Sequence, residues 1–181
     1  LRHICVFSIK KLMKSKENIV FLGMMGSGKS SIGKLVSKKL QLDFFDIDAC
    51  IEKDLGMSIS KIFETKGEIF FRNFEEKITL KTLRKNKIVI ALGGGAFLNK
   101  NIQSEILVNH LSFWLKWNKN TLIRRIKNSS KRPIASKASN KELINMIKKR
   151  SNIYSKAMYK VDCNNLTKTE IVKKVINTYE A

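Results

Sequence analysis

The stretch that most limits what this chain can become is Gly23-Met24-Met25-Gly26-Ser27-Gly28-Lys29-Ser30. It follows the apolar run Asn18-Ile19-Val20-Phe21-Leu22 and opens a segment, 31–40, whose apolar spacing is helical. This is the G-x-x-x-x-G-K-[ST] pattern in the strand-loop-helix setting that gives it meaning. Glycines let the backbone fold around a phosphate with several N–H groups pointing inward, and the following helix turns its positive end to the same anion. Lys29 can then reach the outer phosphates, and the Ser30 hydroxyl can ligate Mg²⁺. A glycine-rich turn before an ordinary helix is the alternative. The flanking strand and helix favour phosphate, and therefore a nucleotide.

A length of 181 residues suits one α/β domain, and 43% hydrophobic residues suffice for its core. No segment reaches the length needed to span a membrane. Cys5, Cys50 and Cys163 are widely spaced with no C-x-x-C pair, which argues against a disulfide framework or a zinc site and fits a reducing compartment, the cytoplasm. His3 and His110 are too isolated to suggest a histidine-ligated metal, and His110 marks the start of a strand. The net charge of +21 raises a nucleic-acid or anionic-membrane partner. The lysines are spread along the chain rather than interleaved with aromatics in one block, so neither partner is expected. A basic surface still draws in anionic substrates.

Residues 1–17 form a basic N-terminal extension, with Arg2, Lys10, Lys11, Lys14 and Lys16 against Glu17. Met13 reads as the simpler natural start, with 1–12 an upstream extension. Residues 18–181 then alternate strand and helix. The strands are 18–22, 42–45, 87–92, 111–115 and 160–163, and the alternation implies a five-stranded parallel sheet with helices on both faces.

Several stretches at the strand ends stand out. Asp46-Ile47-Asp48 ends the second strand, where open parallel sheets place their ligands; one acid can face a metal while the other faces a different group, or both are solvated turn residues. Ser58 caps a short helix, and Gly67 breaks it before a second one running to about residue 84. On that second helix Arg72, Glu75 and Glu76 are spaced to pair. Gly93-Gly94-Gly95 permits close approach of a ligand to the backbone, or is a flexible turn. Helices are expected at 100–109, at 119–127 capped by Asn118, from a cap at Asn140 towards Met158, and at 168–179. Trp114 and Trp117 read as packing residues. Residues 128–139 are polar, basic and contain the only proline, so they read as a phosphate-covering lid or as a plain surface loop.

With these pieces in order, the chain resembles the shikimate kinases, small members of the nucleoside-monophosphate-kinase-like P-loop proteins. The likeness runs over nearly all of 18–179. It rests on Gly23 to Ser30, Asp46-Ile47-Asp48, Phe71-Arg72-Asn73-Phe74-Glu75, Gly93-Gly94-Gly95-Ala96, Arg132-Pro133, and Arg150 with Tyr154. The resemblance implies a three-layer P-loop kinase fold and ATP-dependent phosphorylation of the shikimate 3-hydroxyl, in the route to aromatic amino acids, by a monomer. It implies that Gly26, Ser27, Gly28, Lys29, Ser30 and Ser31 bind the ATP phosphates, with Ser30 and Asp46 at Mg²⁺, the latter through water. Asp48 matches the acid that contacts the shikimate hydroxyls and is the candidate base. Arg72 and Arg150 match the pair that holds the shikimate carboxylate, which suits a guanidinium fork. Gly93, Gly94 and Gly95 would add backbone contacts, Arg132 would reach the transferring phosphate, and Arg125 would lie against adenine. Lys29, Asp48 and Arg132 would thus carry the catalysis. Two departures are visible: Arg132-Pro133 continues with Ile134-Ala135 where the family has leucines, and the N-terminal extension has no family counterpart.

Other readings are a different acceptor on the same scaffold, such as gluconate or a nucleotide, a non-catalytic ligand-binding domain, and a nucleic-acid-stimulated ATPase. Arg72 with Arg150 favours a carboxylate-bearing acceptor.

Overall fold

A computed structural model describes residues 18–128 and 138–181. The strands are β1 (Ile19–Leu22), β2 (Asp43–Asp46), β3 (Ile88–Ala91), β4 (Leu111–Lys116) and β5 (Tyr159–Asp162). They form one parallel sheet in the order β2-β3-β1-β4-β5. The helices are α1 (Lys29–Leu40), α2 (Ile47–Leu55), α3 (Ile59–Leu83), α4 (Lys100–Asn109), α5 (Lys119–Lys127), α6 (Asn140–Tyr154) and α7 (Lys168–Glu180).

The side-chain alternation of β1 divides the core in two. Ile19 and Phe21 pack with Ile32 and Val36 of α1 and Ile171 and Val175 of α7. Val20 and Leu22 face the other way, onto Ile47 and Ile51 of α2, Phe71 of α3, Ile106 of α4, Ile126 of α5 and Ile147 of α6. The sheet is therefore the middle of three layers. Both faces are covered, which is why β1 and β3 are apolar at every position and fully buried.

Because all five strands run the same way, their carboxyl ends share one edge. The loop 23–28, the start of α2, the turn 93–95 and Trp117 all leave the sheet along it.

Two local features differ from the sequence expectation, and a third follows it. Asp46 does not lead into a turn: its side chain accepts from the Ala49 amide and caps α2, so Asp48 sits in the first turn of a helix. As the sequence predicts, Gly67, at φ 80 and ψ 173, is non-helical and breaks α3 into two helical stretches that meet at a kink. Ser139, not Asn140, caps α6, in a reciprocal capping box with Glu142, and the helix stops at Tyr154. Residues 1–17 and the core of the expected lid, Arg132 included, lie outside the described residues.

Candidate active site

Gly28, at φ 91, caps α1 in a left-handed conformation that a side chain would strain. The turn it closes wraps so that Lys29 is buried, its Nζ donating to the carbonyls of Gly23 at 2.9 Å and Met24 at 3.0 Å. The ammonium is thereby held at the mouth of the loop. Next to it the Ser30 hydroxyl donates to Asp46 Oδ2, while Asp46 Oδ1 caps α2. One carboxylate joins the glycine loop to the end of β2.

These groups line a cavity of about 310 Å³. Gly28, Lys29 and Ser30 line it together with Asp46, Asp48 and Gly94.

Beyond Gly94, the glycine turn is packed too tightly for side chains. A Cβ on Gly93 would collide with Glu75 Oε1 and lie 2.9 Å from Asp48 Oδ1. A Cβ on Gly95 would lie 2.6 Å from Arg72 Nη1. Arg72 Nη1 donates to Glu75 Oε2 at 2.8 Å, and Nε and Nη2 donate to Glu68 Oε1 at 3.2 and 3.1 Å. Burial works against the guanidinium's charge, but Glu75 and then Glu68 outweigh it and hold its pKa above the usual arginine value. From the other side, Arg150 Nη1 donates to the Gly94 carbonyl at 3.1 Å, and the Tyr154 hydroxyl donates to the same oxygen. Four residues apart on α6, Arg150 and Tyr154 share a helix face. Arg72 and Arg150 thus border neighbouring residues of one turn.

At the opposite end, Arg125 Nη1 donates to the Gly26 carbonyl at 3.2 Å, and its Cζ lies 3.9 Å from the centre of the Trp117 ring. The Trp117 indole N–H donates to the Ser27 carbonyl at 2.9 Å. Trp117 is therefore more than a packing residue, unlike Trp114, which is buried beside Tyr154. Its place just past β4, on the edge where the glycine loop emerges, was the available signal. Glu76 points away from Arg72: it accepts from Asn99 at 2.8 Å and Asn101 at 2.7 Å, tying the segment after the glycine turn to α3.

The described cysteines offer no activated nucleophile. Burial, with Asp46 and Asp54 nearby, pushes the Cys50 thiol up, and burial takes Cys163 to about 12.

A family profile described as shikimate kinase matches residues 25–180. A shikimate kinase of Thermodesulfovibrio yellowstonii is 39% identical over 165 residues, 91% of this chain and 95% of that relative. One of Bacillus subtilis is 38% identical over 169 residues, 90% of this chain and 89% of that protein. Among solved structures, shikimate kinase from Acinetobacter baumannii in complex with shikimate superposes with TM-score 0.85 at 25% identity, covering 93% of this chain and 95% of that one. Deoxyadenosine kinase from M. mycoides, at TM-score 0.60 and 19% identity, shares the fold alone. With the profile covering most of its length and relatives this similar end to end, the chain belongs to the shikimate kinase family.

Proposed function

We propose that this chain transfers the γ-phosphoryl group of ATP to the 3-hydroxyl of shikimate, giving shikimate 3-phosphate and ADP. The observation that carries the reading is that the glycine loop, the two acids after β2 and Gly94 line one cavity, while two guanidinium groups border the adjoining turn.

The loop 23–30 takes the triphosphate, with Lys29 exchanging its contacts to the Gly23 and Met24 carbonyls for phosphate oxygens. Ser30 and Asp46 are hard oxygen donors set side by side, which fits Mg²⁺. Ser30 would hold the ion directly and Asp46 through water. Bound with the nucleotide there, Mg²⁺ would neutralise phosphate charge. With Ser30 and Asp46 offered by the protein, phosphate oxygens and water would complete the shell.

Arg72 and Arg150 hold the shikimate carboxylate. Glu68 and Glu75 fix the plane of Arg72 before the acceptor arrives, and a planar carboxylate matches a fixed fork. Gly93, Gly94 and Gly95 bring the backbone close to the ring. Asp48 orients the attacking hydroxyl and accepts its proton as the oxygen bonds to the γ-phosphorus and the bond to ADP breaks. Phosphoryl transfer relies on positioning and charge neutralisation more than on a strong base, so a carboxylate serves. Arg132 reaches the transferring phosphate and Arg125 lies against adenine.

No helix among the described residues is long and apolar enough to cross a membrane, and the free thiols of Cys50 and Cys163 suit the reducing cytoplasm.

The test is ADP release measured with shikimate, gluconate, a nucleoside, RNA or no acceptor. Shikimate is expected to stimulate release far above the others. Stimulation by RNA in place of shikimate would overturn the reading.

A further inference from the structure

Trp117 closes a ring of contacts around the nucleotide loop. Its N–H holds the Ser27 carbonyl, and its face carries the Arg125 guanidinium, which holds the carbonyl of the preceding residue, Gly26. Two successive carbonyls of the loop are thus gripped from the same side by one ring and the cation resting on it.

That grip has a direction. In a trans peptide the N–H points opposite to its C=O. Turning the Ser27 carbonyl towards Trp117 turns the Gly28 amide away from it, and Gly28 lines the cavity. The Arg125 plane is set by the same ring, since a guanidinium 3.9 Å from an aromatic centre stacks on its face. The chain reaches Trp117 along β4, 90 residues after Ser27, so the loop is braced by a segment distant in sequence.

We propose that Trp117 is a positioning residue for the nucleotide. It preorganises the Ser27–Gly28 peptide and the Arg125 guanidinium, and its fluorescence reports nucleotide occupancy. This rests on the reading of 23–30 as the ATP phosphate loop.

The experiment compares the parent with Trp117→Phe, which keeps a ring under Arg125 but loses the N–H, and Trp117→Leu, which loses both. Kinetics are measured for each substrate, together with ADP binding and intrinsic fluorescence. Trp117→Leu is expected to raise KM for ATP about ten-fold while KM for shikimate stays within about two-fold, with Trp117→Phe between parent and Leu. A structural defect alone would move both KM values together. ADP should change the fluorescence of the parent and not that of Trp117→Phe, in which Trp114 is the remaining tryptophan. If Trp117→Leu fails to fold, Trp117→Phe decides the matter through its ATP KM and its fluorescence. Variants that bind ADP as tightly as the parent overturn this proposal alone. A parent that does not bind ADP overturns the phosphate-loop reading along with it.

Discussion

Ser30 and Asp46 share a hydrogen bond from hydroxyl to carboxylate, and the second oxygen of the same carboxylate caps α2. The proposed Mg²⁺ position and the start of the helix bearing Asp48 therefore depend on one side chain. Asp46→Asn separates the two duties, because asparagine caps helices as well as aspartate but lacks the charge. The expected outcome is an unchanged melting temperature with the Mg²⁺ concentration for half-maximal rate raised about ten-fold. A Mg²⁺ titration of the coupled assay checks it, and an unshifted curve would count against Asp46 at the metal.

Asp48→Asn keeps the shape of the cavity wall and removes the proton acceptor. Turnover should fall about 100-fold or more, with ADP affinity unchanged. Near-parent turnover would remove Asp48 from the reaction.

Arg72→Lys replaces a fork by a point charge. Lysine cannot reproduce three bonds to two glutamates and still present a planar pair of donors to a carboxylate. KM for shikimate should rise about ten-fold or more, with KM for ATP little changed. Equal effects on both substrates would contradict the assignment.

Gly95→Ala reaches the same guanidinium from the other side. The added methyl would lie 2.6 Å from Arg72 Nη1, and the group that must yield is the end of a long side chain. The fold should therefore survive while KM for shikimate rises about three- to ten-fold. An alanine variant with parent kinetics would show that the plane of Arg72 is not critical.

The capping boxes give a pH dependence. A hydrogen bond from the Ser139 hydroxyl, then one from its amide, holds Glu142 below the usual 4.5; the Thr167 hydroxyl and amide do the same for Glu170. A carboxylate with a lowered folded pKa adds stability above 4.5 that is lost as pH falls through its folded value. The stability gap between the parent and an E142Q/E170Q double variant, measured by urea unfolding, should be present above pH 4.5 and shrink as the pH falls below it. A gap that persisted in acid would place it elsewhere.

Much of this was legible because its signals are local. The glycine loop, the alternation of strand and helix and the break at Gly67 are written in neighbouring residues. So is the pairing of Arg72 with Glu75, three positions apart on one helix. Helix α2 was obscured because Asp46 and Asp48 read as turn acids. The cap at Asp46, Ile47 with Ile51 four residues later, and Gly56 as C-cap were its available markers. The contacts of Trp117 with Ser27 and of Arg150 with Gly94 join residues 90 and 56 positions apart. Periodicity within an element carries no information about them; only the strand order brings them together.

Glu75 and Glu76 turn in different directions, one along α3 to Arg72 and the other off the helix to Asn99 and Asn101. The segment after the glycine turn is consequently tied to the same helix that carries Arg72, the guanidinium proposed to hold the acceptor. It cannot slide without dragging α3 along. Acceptors of the wrong outline should thus meet a stiff template, and discrimination among polyols should persist even when nucleotide is absent.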